Sequence, residues 1–162
     1  MINRISIVMG SQSDLETVKE AVDLLKQFSV GFEVKVLSAH RSPEELVRYI
    51  KGAEKKGIKV FIAVAGGAAA LPGVISSYTT LPVIGVPVET KAFKGLDSIL
   101  SIIQMPKGVP VGCMALGSSG AVNAVLFALE ILSLSDKKLS LRLKRYKRDM
   151  SDRIRKTKIK LL

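Results

Sequence analysis

One cysteine, one histidine and no tryptophan stand among the 162 residues of this chain. A single thiol, Cys113, excludes an intrachain disulfide framework and suits a reducing compartment. A single imidazole, His40, leaves no Cys/His cluster for a metal, so only carboxylate-based metal sites stay open. Aromatic residues make up 5%, too few for the stacking platforms that hold single-stranded nucleic acid. Long apolar runs are missing too. Ile5 to Met9 is far too short for a signal sequence, and the stretch from Val122 to Leu134 is interrupted by Glu130 short of a membrane span. The expectation is a soluble, cytoplasmic protein without a membrane partner.

Apolar residues at 48% and charged residues at 24% fit an ordinary globular chain of one domain. The net charge of +11 is unevenly spread. Residues 136–162 hold 12 Lys/Arg against 3 Asp/Glu, whereas residues 1–135 are nearly neutral. A uniformly basic nucleic-acid binder is not built this way. The division expected is an α/β domain over 1–135 and a basic helix with tail over 136–162, packing on a neighbouring subunit.

Short β-branched runs alternate with helical periodicity. Strands are expected at Ile5–Met9, Val34–Leu37, Val60–Val64, Val83–Val86 and Val111–Leu116. Helices are expected from Asp14 to Phe28, behind a Ser13-x-x-Glu16 capping box, and from Pro43 to Gly57, with Ser42 as cap and Pro43 in the first turn. Further helices follow at about Leu71–Tyr78, Leu96–Ile103, Ala121–Leu132 and Lys137–Arg155, with Gly117–Gly120 as a turn. Five strands alternating with helices imply a parallel sheet in a three-layer α/β sandwich.

In such sheets ligands bind beyond the carboxyl ends of the strands. Four loops of small hydrogen-bonding residues fall there: Gly10–Asp14, Ser38–Pro43, Ala65–Ala69 and Gly117–Gly120. The first suits a phosphate or ribose, with glycine for close approach, serine hydroxyls, and Asp14 to accept from sugar hydroxyls. It equally suits a capped turn. It is neither a Walker A loop nor a dinucleotide fingerprint, so ATP and NAD lack support, and no cofactor is expected. His40 and Arg41 lie side by side where a strand ends and a helix begins. Histidine takes and returns a proton near neutral pH, and arginine holds phosphate or carboxylate through a bidentate fork. Cys113, within an apolar strand, reads as a core residue.

Five motifs then occur in order: Gly10-Ser-x-Ser-Asp14, Ser38-Ala-His-Arg41-Ser-Pro43, Ala65-Gly-Gly-Ala-Ala69-x-Leu-Pro-Gly73, Pro82-Val-Ile-Gly-Val-Pro-Val88, and Gly95-Leu-Asp-Ser98 followed by Gln104-Met-Pro-x-Gly-Val-Pro110. Together they resemble the class I PurE family, the N5-carboxyaminoimidazole ribonucleotide mutases of purine biosynthesis. The match spans about residues 2–135. The resemblance implies a flavodoxin-like sandwich, a homo-octamer whose C-terminal helix reaches a neighbour, and a ribonucleotide substrate with CO2 as intermediate. No cofactor, metal or nucleic-acid partner is implied. It also implies His40 as general acid/base, Arg41 at the phosphate, Ser11 and Asp14 at the ribose and phosphate, and Ser13 and Ser38 as pocket hydroxyls. Ala39, Gly67, Ala68, Ala70 and Leu71 complete the expected substrate contacts. One position departs: the family's third loop usually carries a histidine where this chain has Ala70. Two other readings stay open at this point. One is the related class II activity, which joins free CO2 to aminoimidazole ribonucleotide (AIR). The other is a non-catalytic nucleotide-binding or nucleic-acid module using the basic tail.

Overall fold

A computed structural model describes residues 2–157. Five strands run β1 Ile5–Met9, β2 Phe32–Val36, β3 Val60–Gly66, β4 Val83–Val88 and β5 Gly112–Cys113. Six α-helices alternate with or follow them: α1 Leu15–Gln27, α2 Pro43–Ala53, α3 Leu71–Ser77, α4 Leu96–Ile103, α5 Gly117–Ser133 and α6 Lys137–Lys156. All four strand pairs are parallel, in the order β2-β1-β3-β4-β5. That order reverses direction between β1 and β3, which makes their carboxyl ends the topological switch point. Helices cover both faces of the sheet, as the sequence implies.

β1 and β3 are apolar throughout because both of their faces are covered; every residue of β1 is buried. On one face Val8, Phe61, Ala63 and Ala65 pack with Leu46 and Ile50 of α2, Ile75 of α3 and Ile102 of α4. The alternate residues Ile7, Met9, Ile62 and Val64 are likewise buried, as period-two alternation demands. α1 buries Val18, Ala21, Leu24 and Leu25, and α5 buries Ala121, Ala124, Val125 and Ala128.

The chain falls into two compact units, one ending at Ala128 and the other beginning at Leu129. The second contains the end of α5 and all of α6. Asp136 caps α6 by accepting from the Leu139 amide, and Lys147 pairs with Glu130 at 2.7 Å. Along α6 the apolar stripe begins buried, at Leu139 and Leu143, and ends exposed, at Met150 and Ile154. Among the described residues no helix is long and apolar enough to cross a membrane.

Four local expectations are corrected. β4 continues two residues past Val86, through Pro87 to Val88. Pro87 is tolerated there because β5 pairs only with Ile84 and Gly85, so no ladder bond is asked of the imide nitrogen. β5 itself is two residues long. Gly117–Gly120 is the first turn of α5 rather than a loop. The Ser13 capping box does not form: Ser11 caps a short 3-10 turn at Gln12–Asp14, and no side chain caps α1.

Candidate active site

The carboxyl ends of β1, β2, β3 and β4 enclose a cleft of about 420 Å³. From the β1 loop come Gly10, Ser11, Ser13 and Asp14; from the β2 loop, Ser38, Ala39, His40 and Arg41. The β3 end and the loop after it supply Ala65, Gly66, Ala69, Ala70 and Leu71, and the β4 end supplies Val88 and Glu89. Nine of the eleven residues expected from sequence therefore meet at one place. Gly67 and Ala68 belong to the same β3 loop but do not line the cleft. The Gly117–Gly120 segment does not line it either.

The β2 loop is closed on itself. Ser42 stands at the N-cap position of α2 but spends its hydroxyl on the loop: its Oγ donates to the Ser38 carbonyl at 3.2 Å and accepts from the Ser38 amide at 3.0 Å. The Ser38 hydroxyl accepts from the Arg41 amide at 3.2 Å. This ring leaves His40 exposed at its tip, on the rim of the cleft. Arg41 reaches the other way. Its Nη2 donates to the Gly10 carbonyl at 2.7 Å and its Nε to Ser38 Oγ at 3.4 Å. A guanidinium carries more donors than these bonds use, so Arg41 both ties the β1 and β2 loops together and keeps charge for an anion.

Across from it, Ser13 Oγ lies 2.9 Å from Ser11 Oγ and 3.3 Å from Asp14 Oδ1. Asp14 is buried. Burial raises its carboxyl above the ordinary value, against the lowering effects of hydrogen bonds at Ser11 and Ser13 and of the Arg41 charge. A carboxylate, two hydroxyls and a guanidinium at one end suit a sugar phosphate: Arg41 for the anion, Asp14 for sugar hydroxyls. At the other end Ala65, Ala69, Ala70 and Leu71 form a wall of small apolar groups against which a flat ring can lie. His40 lines the same cleft from its exposed position on the rim.

Glu89 and Val88 escape a reading of the sequence alone. The signal was present, since both follow the rule that ligands gather at strand ends; placing the β4 end at Val86, before Pro87, hid them. Cys113 is half-buried, and burial raises its thiol pKa, which disfavours the thiolate.

A doubly wound parallel sheet with an anion-suited cleft at its switch point defines a small-molecule α/β protein of flavodoxin-like architecture. The chain belongs to the AIR carboxylase family, whose family model matches residues 4–153. It is 50% identical over 156 residues to the N5-carboxyaminoimidazole ribonucleotide mutase of Saccharolobus solfataricus, covering 96% of this chain and 98% of that protein. It is 55% identical over 139 residues to the protein of the same name from Bacillus subtilis, covering 86% of each. Among solved structures, Treponema denticola PurE superimposes with a TM-score of 0.85 at 29% identity, over 94% of both chains.

Proposed function

We infer that this chain interconverts N5-carboxyaminoimidazole ribonucleotide (N5-CAIR) and 4-carboxyaminoimidazole ribonucleotide (CAIR), a step of purine biosynthesis. The observation that carries the reading is the convergence of His40, Arg41, Asp14 and a small-residue wall on one cleft, in a chain about half identical, nearly end to end, to enzymes bearing that name. Arg41 with Ser11 holds the phosphate, Asp14 the ribose, and Ser13 and Ser38 keep those groups in place. The imidazole ring of the substrate lies along Ala69, Ala70 and Leu71.

The chemistry is a carboxylate migration. The substrate's N-carboxylate is a carbamate. His40, as imidazolium, donates a proton to the exocyclic nitrogen; the N–CO2 bond breaks, leaving AIR and CO2 in the cleft. Ring carbon C4, enamine-like, attacks the CO2 and forms the new C–C bond. Neutral His40 then removes the C4 proton, which restores the aromatic ring and returns His40 to its starting form. Holding CO2 beside C4 replaces a bimolecular capture with an effectively unimolecular one. Since this is the chain's sole histidine, both proton transfers fall to one side chain. No imidazole shares the wall, because Ala70 occupies that position.

The enzyme works in the cytoplasm as a homo-oligomer of eight subunits. The half-exposed apolar stripe of α6 supports an assembly, and sedimentation that returns the mass of a single chain would remove this part of the reading. The reaction itself is tested by supplying N5-CAIR without added bicarbonate, and AIR with it. The expected outcome is rapid loss of N5-CAIR and no bicarbonate-dependent consumption of AIR at physiological concentration. Consumption of AIR alone would assign the direct carboxylase instead.

A further inference from the structure

We propose that Ser98 is a positioning residue that holds two walls of the cleft in register, acting through Gly67 and Val88 without touching substrate. The Gly95-Leu96-Asp97-Ser98 motif opens α4 and has no part in the chemistry described above, yet Ser98 and Asp97 bond to the segments that follow β3 and end β4. Ser98 is fully buried. Its Oγ donates to the Val88 carbonyl at 2.7 Å and accepts the Gly67 amide proton at 2.9 Å. Val88 is the last residue of β4 and lines the cleft. Gly67 begins the loop that delivers Ala69, Ala70 and Leu71 to it. One hydroxyl thus joins the two halves of the apolar end.

Two neighbours brace the same point. Ser101, one turn further along α4 and on the same helix face, shares its one hydroxyl proton between the Asp97 carbonyl of its own helix at 2.8 Å and the Gly67 carbonyl at 3.2 Å. Asp97 accepts from the Thr90 hydroxyl at 2.8 and 3.0 Å, fixing the chain just beyond Glu89. The Gly67 N–H is thus bonded to α4 through Ser98, and its carbonyl takes the weaker share of the Ser101 proton. The loop needs this bracing: Gly67 has φ +68° and Ala69 φ +25°, and a left-handed alanine persists only where its surroundings over-determine it. Without Ser98, the Gly67 N–H and the Val88 C=O would lose their partner, and the loop would be free to relax away from the ring.

The inference rests on the reading that Ala69 to Leu71 contact the heterocycle while Arg41 and Asp14 hold the ribose phosphate. It is tested with Ser98→Ala and Ser101→Ala, measuring kcat and KM for conversion of CAIR, calorimetric affinity for ribose 5-phosphate, and amide exchange at residues 66–71. In Ser98→Ala, kcat/KM is expected to fall on the order of tenfold to a hundredfold, as for a misplacement of about an ångström. Exchange at 66–71 is expected to rise, and ribose 5-phosphate affinity to stay within about twofold, since uniform damage alone would move all three. Ser101→Ala shows the same pattern, weaker; as Ser101 is exposed, it carries the test alone should Ser98→Ala fail to fold. Turnover and exchange like the parent in both variants, or ribose 5-phosphate affinity falling in step with kcat/KM, overturns the proposal. A parent protein that neither converts CAIR nor binds ribose 5-phosphate contradicts the reading of the cleft, while the exchange comparison still decides whether Ser98 is the strut.

Discussion

Asp14, proposed above to hold the ribose, shows how a cleft residue can work against the fold that carries it. Its carboxyl is buried beside Ser11, Ser13 and Arg41, and burial outweighs those partners, so the folded pKa lies above the ordinary 3.8. The folded chain then holds this proton more tightly than the unfolded chain. Stability from this group is present in acid, is lost as pH rises from about 3.8 through the raised folded value, and stays lost at neutral pH. Asp14→Asn should therefore melt at the same or a higher temperature than the parent at pH 7. It should also bind ribonucleotide at least about tenfold more weakly, a charge-assisted bond to a sugar hydroxyl having been lost. Thermal melts at pH 7, with and without ligand, check this; a clear drop in melting temperature without ligand contradicts it. At this scale the sequence was legible where a residue's chemistry is rare. His40 and Arg41 stand out by type and position. Ser98 does not, since a serine in the first turn of a helix is ordinary until its buried hydroxyl is seen bridging Gly67 and Val88.

At the scale of elements, periodicity placed every α-helix and every strand, and the errors gathered where tertiary contacts set the ends. β4 runs through Pro87 because its neighbour β5 has already stopped. β5 stops at Cys113, and after three more residues the chain turns into α5. Gly120 makes that turn possible: a Cβ there would stand 1.6 Å from the Ala115 carbonyl oxygen. The four residues Gly117-Ser118-Ser119-Gly120 look like a turn by composition, but they are helical, and the second glycine serves close packing of the helix on the segment before it. Gly120→Ala should cost about 3 kcal/mol or more, at the upper end for overpacking. A urea titration reads the cost, and a loss below about 0.5 kcal/mol, the ordinary surface range, would show that the α5 start is not pinned at Ala115. The serines at helix starts teach the same lesson. Ser13 and Ser42 sit where caps are expected, yet their hydroxyls serve the cleft loops, and those loops rather than the helices benefit.

For the whole molecule, charge segregation was the feature most open to misreading. A net +11 suggests a polyanion partner until the excess is seen to lie in residues 136–162. α6 is amphipathic, and its exposed Met150 and Ile154 fit a protein contact as well as its lysines and arginines fit water. The fold class followed from alternation alone, while the strand order, and hence the switch point, did not; only pairing of β1 with both β2 and β3 shows why the loops after them converge. The proposed carboxylate migration needs one proton carrier, and the chain has one histidine at the cleft. The most direct test is steady-state turnover of N5-CAIR by His40→Asn, with ribonucleotide affinity measured on the same protein. The account predicts no measurable isomerisation with affinity within about threefold of the parent, because an exposed rim imidazole moves protons and contributes little to binding. A variant that turns over at the parent rate would contradict it outright.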